Sequence, residues 1–313
     1  MVAGGTGFIG SHLCERLLED GHQVVCMDNQ STGRYRNIAH LDGKPLFSHV
    51  LDYDVANRNV IPSPFPPEVV FHLASPASPV DYQRDPIGTL RAGSHGTENL
   101  LALAGIHQAR FILASTSEVY GDPAVSPQTE TYWGNVNPVG LRSCYDESKR
   151  FAEALTMAYR RTHGMRTGIA RIFNTYGPRM RPDDGRVVCT FIRQALAGEP
   201  LTLFGGGRQT RSFCYVSDLV DGLVRLMHSE ENMPINLGNP AEIKVSDLAC
   251  EIVALTGSKA GFEDRPLPED DPKRRCPDIS RAKKILGWAP KVTRREGLER
   301  TIAYFRERST ILT

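Results

Sequence analysis

Short β-branched runs alternate with helix-like stretches along the first half of the chain: Val24-Val25-Cys26-Met27, Val69-Val70-Phe71, Phe111-Ile112-Leu113 and Thr167-Gly168-Ile169-Ala170. Runs that are apolar at successive positions suit strands covered on both faces, and helical segments between them predict crossovers. The pattern therefore predicts an α/β fold with a doubly wound parallel sheet. Ile9, Leu13 and Leu17 recur at i, i+4 and i+8 and form one apolar helical stripe, and residues 99 to 107 read as the end of a second helix. The first strand is short. Met1 and Val2 precede the glycines, where a central strand runs about 5 to 6 residues, which points to a clipped or misassigned start. From about residue 176 the texture changes: Gly177 to Gly185 is turn-rich and charged, and Pro266, Pro268, Pro272 and Pro277 interrupt the later chain. A second, smaller lobe is expected there.

Composition narrows the function. The 313 residues are 40% hydrophobic and 23% charged, and 37 Lys+Arg nearly cancel 36 Asp+Glu to leave +1. This excludes a disordered or fibrous chain, and the lack of a basic field argues against nucleic acid as a partner. No apolar stretch approaches the ~18 to 20 residues of a membrane span, and Glu15, Arg16, Glu19 and Asp20 fall in the first twenty. The expectation is a soluble chain with no signal peptide, no membrane partner and a small-molecule ligand. Seven cysteines (Cys14, Cys26, Cys144, Cys189, Cys214, Cys250, Cys276) are scattered and never form C-x-x-C. They suggest no metal and no disulfide framework, and fit a cytoplasmic location.

Gly4, Gly7 and Gly10 stand at G-x-x-G-x-x-G spacing in Gly4-Gly5-Thr6-Gly7-Phe8-Ile9-Gly10, between the first strand and the first helix. Glycines allow a tight turn and close backbone approach, so free N–H groups and the helix dipole can hold a pyrophosphate. Asp28 closes the second strand, where a carboxylate accepts hydrogen bonds from the adenosine ribose and repels a 2′-phosphate. The cofactor expected is NAD. Arg34 and Arg36 follow soon after, and either contact with a 2′-phosphate or plain solvation fits them.

Tyr145 and Lys149 are four apart in Cys144-Tyr145-Asp146-Glu147-Ser148-Lys149, at the head of a helical stretch with Phe151, Leu155 and Ala158. That spacing puts phenol and ammonium on one helix face, where the cation is expected to lower the tyrosine pKa from ~10 and make it a base. Ser115-Thr116-Ser117-Glu118 ends the strand that begins at Phe111. Ligands of parallel sheets sit beyond the carboxyl ends of strands, so Ser117 and Glu118 are expected to face the same crevice. The hydroxyl would hold a substrate oxygen and the carboxylate would take or relay a proton.

At these residues the chain resembles the extended short-chain dehydrogenase/reductase family over nearly its whole length. The runs from Ser117 to Pro123, Tyr132 to Pro138, Arg142 to Glu147, Arg171 to Met180, Asp184 to Val188 and Gln209 to Phe213 are similar to those of its UDP-glucuronic acid decarboxylases. Related nucleotide-sugar 4,6-dehydratases carry Asp-Glu where this chain has Ser117-Glu118. The resemblance implies Tyr145, Lys149, Ser117, Glu118 and Arg211 as catalytic residues. It implies NAD held by Gly4, Gly7, Phe8, Ile9, Gly10, Asp28, Asn29, Ser31, Thr32, Gly33, Asp54, Val55, Leu73, Ser75, Tyr145, Lys149 and Thr175. The UDP-sugar would meet Ser117, Glu118, Asn174, Arg186, Arg211 and Arg275, with Arg211 receiving the hexuronate carboxylate; arginine suits diphosphate by its bidentate fork. Lys273 and Arg274, beside Glu269, Asp270 and Asp271, read as a solvated loop.

The implied reaction oxidises the C4 hydroxyl of UDP-glucuronate to a ketone β to the C6 carboxylate, releases carbon dioxide and re-reduces C4 to give UDP-xylose. Release of the UDP-4-keto-pentose, 4-epimerisation, or a sensor without turnover are the alternatives. The resemblance also implies a homodimer. It divides the chain into a Rossmann NAD-binding domain at 1–176, to which 209–240 returns, and a C-terminal α/β UDP-sugar-binding lobe of 177–208 and 241–313. Two positions depart from the family pattern: Ala3 replaces a threonine, and Gly93 replaces an asparagine that organises the active-site helix and its water. Gly93 also costs ~0.5 to 1 kcal/mol relative to Ala if helical. His12, His72 and His95 are expected to be packing or surface residues.

Overall fold

The computed structural model describes residues 1–57, 61–267 and 274–309. The charged segment around Glu269 to Lys273, with Pro268 and Pro272, lies outside the described residues. In chain order the first half contains β1 (Val2–Ala3), α1 (Phe8–Glu19), β2 (Val24–Asp28), β3 (Phe47–Leu51), β4 (Val69–His72), α2 (Pro79–Arg84), α3 (Pro86–Arg91), α4 (Thr97–Ile106), β5 (Arg110–Thr116), α5 (Ser143–His163) and β6 (Thr167–Ile172). The second half contains β7 (Thr175–Tyr176), α6 (Val187–Ala197), β8 (Leu201–Phe204), β9 (Thr210–Ser212), β10 (Cys214–Tyr215), α7 (Val216–His228), β11 (Pro234–Leu237), β12 (Glu242–Lys244), α8 (Val245–Thr256), β13 (Phe262–Arg265), β14 (Arg274–Arg275), α9 (Ser280–Leu286) and α10 (Arg294–Ser309).

Seven strands form one sheet in the order β11-β6-β5-β4-β1-β2-β3, and every pairing is parallel. Each strand residue alternates faces, so neighbouring residues feed different cores. Val2, Cys26, Phe71, Ile112 and Ala170 pack on the side of α1 and α7. Ala3, Val25, Val70, Phe111, Leu113 and Ile169 pack with Leu100, Leu101 and Ala152 of α4 and α5. Two buried faces explain why these strands are apolar at successive positions. β1 has two residues, yet it is hydrogen-bonded to β2 on one side and β4 on the other.

The expected change of texture coincides with a change of architecture. Residues from Thr175 onward supply three small sheets: β12-β9-β14, β13-β8 and β10-β7. Strand β11 then rejoins the large sheet, with Pro234 to Leu237 opposite Ile169 to Ile172. The chain thus crosses between the two regions several times, and a cleft lies at the carboxyl ends of β1, β5 and β6.

Between α3 and α4 the residues Ala92 to Gly96 make one π-helical turn. A Cβ on Gly93 would lie 2.6 Å from the Ser148 Cβ and 2.9 Å from its carbonyl oxygen. The glycine is therefore more than a helix weakener: it lets this turn press directly on α5, one residue before Lys149.

Candidate active site

The glycine turn is shaped by what it excludes. Gly4 has φ +85°, and a Cβ there would lie 2.6 Å from the Leu73 carbonyl carbon; one on Gly10 would lie 2.1 Å from the Gly4 oxygen. Only hydrogen fits at either point. Helix α1 then starts from Gly7 without a side-chain cap, leaving its first N–H groups free for an anion. Asp28 stands at the lip. One of its oxygens accepts from the Thr6 N–H at 3.0 Å and the other from the Gln30 N–H at 2.7 Å. Burial pushes its carboxyl up, and these backbone donors oppose that. The Thr6 hydroxyl is buried with no partner. A cradle that a Cβ would fill, with free donors and a fixed carboxylate, fits a dinucleotide. Gly33, expected in the same site, does not line the cleft. It packs behind the turn, where a Cβ would meet the Thr6 Oγ1 at 2.1 Å.

The cleft has a volume of about 720 Å³, and the other residues expected for cofactor and sugar all line it. Asn29, Ser31, Thr32, Asp54 and Val55 line it together with Asn174, Arg186, Arg211 and Arg275, and with Tyr145, Lys149, Ser117 and Thr175.

Tyr145 and Lys149 share a face of α5, but not as the spacing alone predicts. The Lys149 ammonium donates to the Ala114 carbonyl at 2.8 Å and lies 5.9 Å from the centroid of the Tyr145 ring. Burial pushes Lys149 down to about 8. Burial likewise pushes Tyr145 up to about 12, against a hydrogen bond with Thr116 that favours the phenolate. The expected acidification is corrected accordingly: desolvation outweighs the Thr116 hydrogen bond and raises the phenol. The ring of Tyr145 is also stacked on that of Tyr82 from α2, with centroids 5.2 Å apart and planes 4° apart.

Glu118 requires a second correction. Arg275 meets both of its oxygens, at 2.5 and 2.8 Å, and Arg142 adds a contact at 2.8 Å. Burial alone would raise this carboxyl, but the two guanidinium groups hold it down at about 2. A carboxylate so stabilised is a poor proton carrier near neutrality; it is a charged anchor. Beside it, burial and the Glu118 charge push Asp146 up to about 7, against Arg142 and Arg275.

The remaining cations are also organised. Arg186 is paired with Asp184, its Nη2 at 2.7 Å. Arg211 and Arg275 stand opposite one another on β9 and β14, both buried. The sequence reading missed Tyr82, Arg142, Thr116, Asp146 and Asp184. Arg142 and Asp146 flank Tyr145 and were within reach of an i, i+4 argument; Tyr82 lies far from Tyr145 in the chain and carried no such signal. His72 is buried, and burial pushes it down to about 3. Burial pushes His12 to about 4, its ring bonded to the Pro178 carbonyl. His95 is exposed. None of the three lines the cleft.

Comparison with known proteins agrees with this geometry. Residues 1–238 match the NAD dependent epimerase/dehydratase family. The chain belongs to that family. It is 53% identical to UDP-glucuronic acid decarboxylase 2 of Arabidopsis thaliana over 308 residues, 98% of this chain and 68% of the relative. It is 52% identical to UDP-glucuronic acid decarboxylase 1 of Xenopus tropicalis over 307 residues, 98% of this chain and 72% of the relative. Among solved family structures, it is similar to the UDP-glucuronic acid 4-epimerase of Bacillus cereus, crystallised with UDP-glucuronic acid and NAD. That match has a TM-score of 0.85 and 29% identity and covers 98% of each chain. The glycine turn and the tyrosine-lysine helix of this chain face one cleft. No helix among the described residues is long and apolar enough to cross a membrane.

Proposed function

We propose that the protein is an NAD-dependent UDP-glucuronate decarboxylase that forms UDP-xylose. The observation carrying this reading is the charge arrangement around Tyr145. Arg142 and Arg275 converge on Glu118, so two fixed cations meet one fixed anion beside the base, which favours a ligand with its own carboxylate. Ser117 stands where a dehydratase-like acid would be needed to expel a hydroxyl. The family of the chain and its decarboxylase relatives support the same conclusion.

NAD+, held by the glycine turn and Asp28, would accept a hydride from sugar C4 and return it at the end. We assign the proton transfers to the chain itself. Tyr145, as a phenolate that Lys149 stabilises once ligands displace water, takes the proton of the C4 hydroxyl and becomes a neutral phenol as C4 is oxidised. Ser117 and Thr116 hold the C4 oxygen. The C4 ketone lies β to the carboxylate, so it accepts the electron pair left when carbon dioxide departs. Protonation at C5 and reduction at C4 complete UDP-xylose. Arg186 and Asn174 are assigned to the diphosphate end, and Arg211 and Arg275 to the uronate. Residues 177–208 and 241–313 form the sugar lobe in this assignment. Exposed Ile87, Leu90 and Phe151 on α3 and α5 support a homodimer, and seven unpaired thiols support a cytoplasmic setting.

The test is to incubate the protein with UDP-glucuronate, with and without added NAD+, and identify the product. Carbon dioxide together with UDP-xylose is expected. UDP-galacturonate without gas would make it an epimerase, and release of the 4-keto pentose would remove the last reduction. Tyr145→Phe is expected to bind both ligands but form no NADH; near wild-type NADH formation would overturn the base assignment.

A further inference from the structure

Of the two carboxyl groups near the arginines beside the base, Glu118 is paired with them and Asp146 keeps a bare oxygen. Glu118 takes two contacts from Arg275 and one from Arg142. Asp146, one helical turn after Arg142 on α5, is 6% exposed, and its Oδ1 has no hydrogen-bond partner. An ionised carboxylate with a bare buried oxygen is costly, and a proton removes that cost. Asp146 does not line the cleft, whereas Glu118, Arg142 and Arg275 do, so it can act on a ligand only through them. Glu147 and Tyr145 on its own helix and Tyr82 on α2 also act on or feel its charge. Burial pushes both phenols up, which leaves them neutral around pH 7. Arg142, Arg275, Glu118 and Asp146 taken together therefore carry one net positive charge when Asp146 is protonated and none when it is ionised.

We propose that Asp146 is a positioning residue whose protonation sets the charge that the Glu118 cluster offers to the sugar carboxylate, making uronate recognition pH-dependent. The proposal rests on the reading of UDP-glucuronate as substrate. Burial and Glu118 push Asp146 up to about 7, which puts the change inside the working range. Below that value the acid is neutral and the cluster cationic. Above it the cluster is balanced, and a uronate has less to pair with.

Protein loaded with NADH, which cannot oxidise the sugar, allows binding to be measured without turnover. Titration calorimetry with UDP-glucuronate and UDP-xylose at pH 6, 7 and 8 gives the ratio of their dissociation constants. Effects common to both ligands, such as titration of Lys149, cancel in that ratio. The ratio is expected to rise about tenfold from pH 6 to pH 8, the limit for one linked proton with a midpoint near 7. It is expected to be flat in Asp146→Asn, and in Asp146→Ser should the first variant fold poorly. A flat ratio in the wild type, or the same rise in the neutral variants, overturns the proposal. Failure of UDP-glucuronate to bind at any pH overturns the functional reading, and the proposal with it.

Discussion

The phenol ring of Tyr82 lies flat on that of Tyr145, 5.2 Å between centroids and 4° between planes, so α2 packs directly against the proposed base. The Tyr82 hydroxyl is buried without a partner, and an unmet hydroxyl costs about 1 to 3 kcal/mol. Tyr82→Phe keeps the stack and is expected to stabilise the ligand-free protein by about 1 kcal/mol in denaturant unfolding. Tyr82→Ala removes the support and is expected to lose at least tenfold in kcat beyond any loss in Tyr82→Phe. Equal kcat in the two variants would show that the stack does not position Tyr145.

Glu118 is ionised throughout the physiological range. Its folded-state pKa of about 2 lies below the usual carboxylate value of 4.5, so its stabilisation is complete above 4.5 and is lost as pH falls toward 2. Glu118→Gln is therefore expected to leave the limbs of the pH-rate profile between 5 and 9 where they are while lowering kcat/KM. A shifted limb would return Glu118 to proton transfer. Glu118→Ala removes the paired carboxylate of the buried Arg275 guanidinium and one partner of Arg142, and is expected to cost about 3 to 5 kcal/mol.

Lys149 carries the opposite sign. Burial lowers its folded-state pKa from 10.5 to about 8, so the unfolded chain binds the extra proton and stability rises with pH between about 8 and 10.5. Below 8 the full penalty is present. Lys149→Met is expected to be inactive yet more stable than wild type at pH 7, by on the order of 1 to 3 kcal/mol, with the difference shrinking by pH 10.5. Lower stability at pH 7 would mean that the bond to the Ala114 carbonyl outweighs desolvation.

Gly93 and Ser148 occupy one space. A Cβ on Gly93 would lie 2.6 Å from that of Ser148, so Gly93→Asn is expected to cost about 1 to 3 kcal/mol by overpacking and to lower activity by displacing α5. Adding Ser148→Gly should recover much of both losses. A double-mutant cycle in melting experiments reads the coupling; additive effects would mean that the π-helical turn, and not this contact, selects the glycine.

Arg211 was assigned to the uronate on resemblance, whereas Arg275 is the guanidinium found on Glu118. Arg211→Ala is expected to weaken UDP-glucuronate binding at least tenfold more than UDP-xylose binding. Equal losses measured by calorimetry would leave carboxylate recognition to Arg275 and give Arg211 a general role.

Much of the fold was legible because its signals are local. The runs at Val24, Val69, Phe111 and Thr167 all became strands of the parallel sheet, since burial on two faces demands apolar residues at successive positions. The turn from Gly4 to Gly10 was legible because only glycine tolerates its backbone contacts. At Gly33 small size serves close packing behind the turn, against Thr6.

The amino-acid order by itself determined which segments form the sheet, where a tight glycine turn sits, and that a phenol and an ammonium share one helix face. Only the tertiary structure decided how those groups behave. Tyr82 reaches Tyr145 from another helix, Arg275 reaches Glu118 from another strand, and burial moves Tyr145 and Lys149 away from their ordinary pKa values. Periodicity and turn chemistry act between near neighbours and can be read along the chain. Desolvation and charge pairing depend on what residues far apart in the chain bring within a few ångströms, which is settled when the two regions close over one cleft.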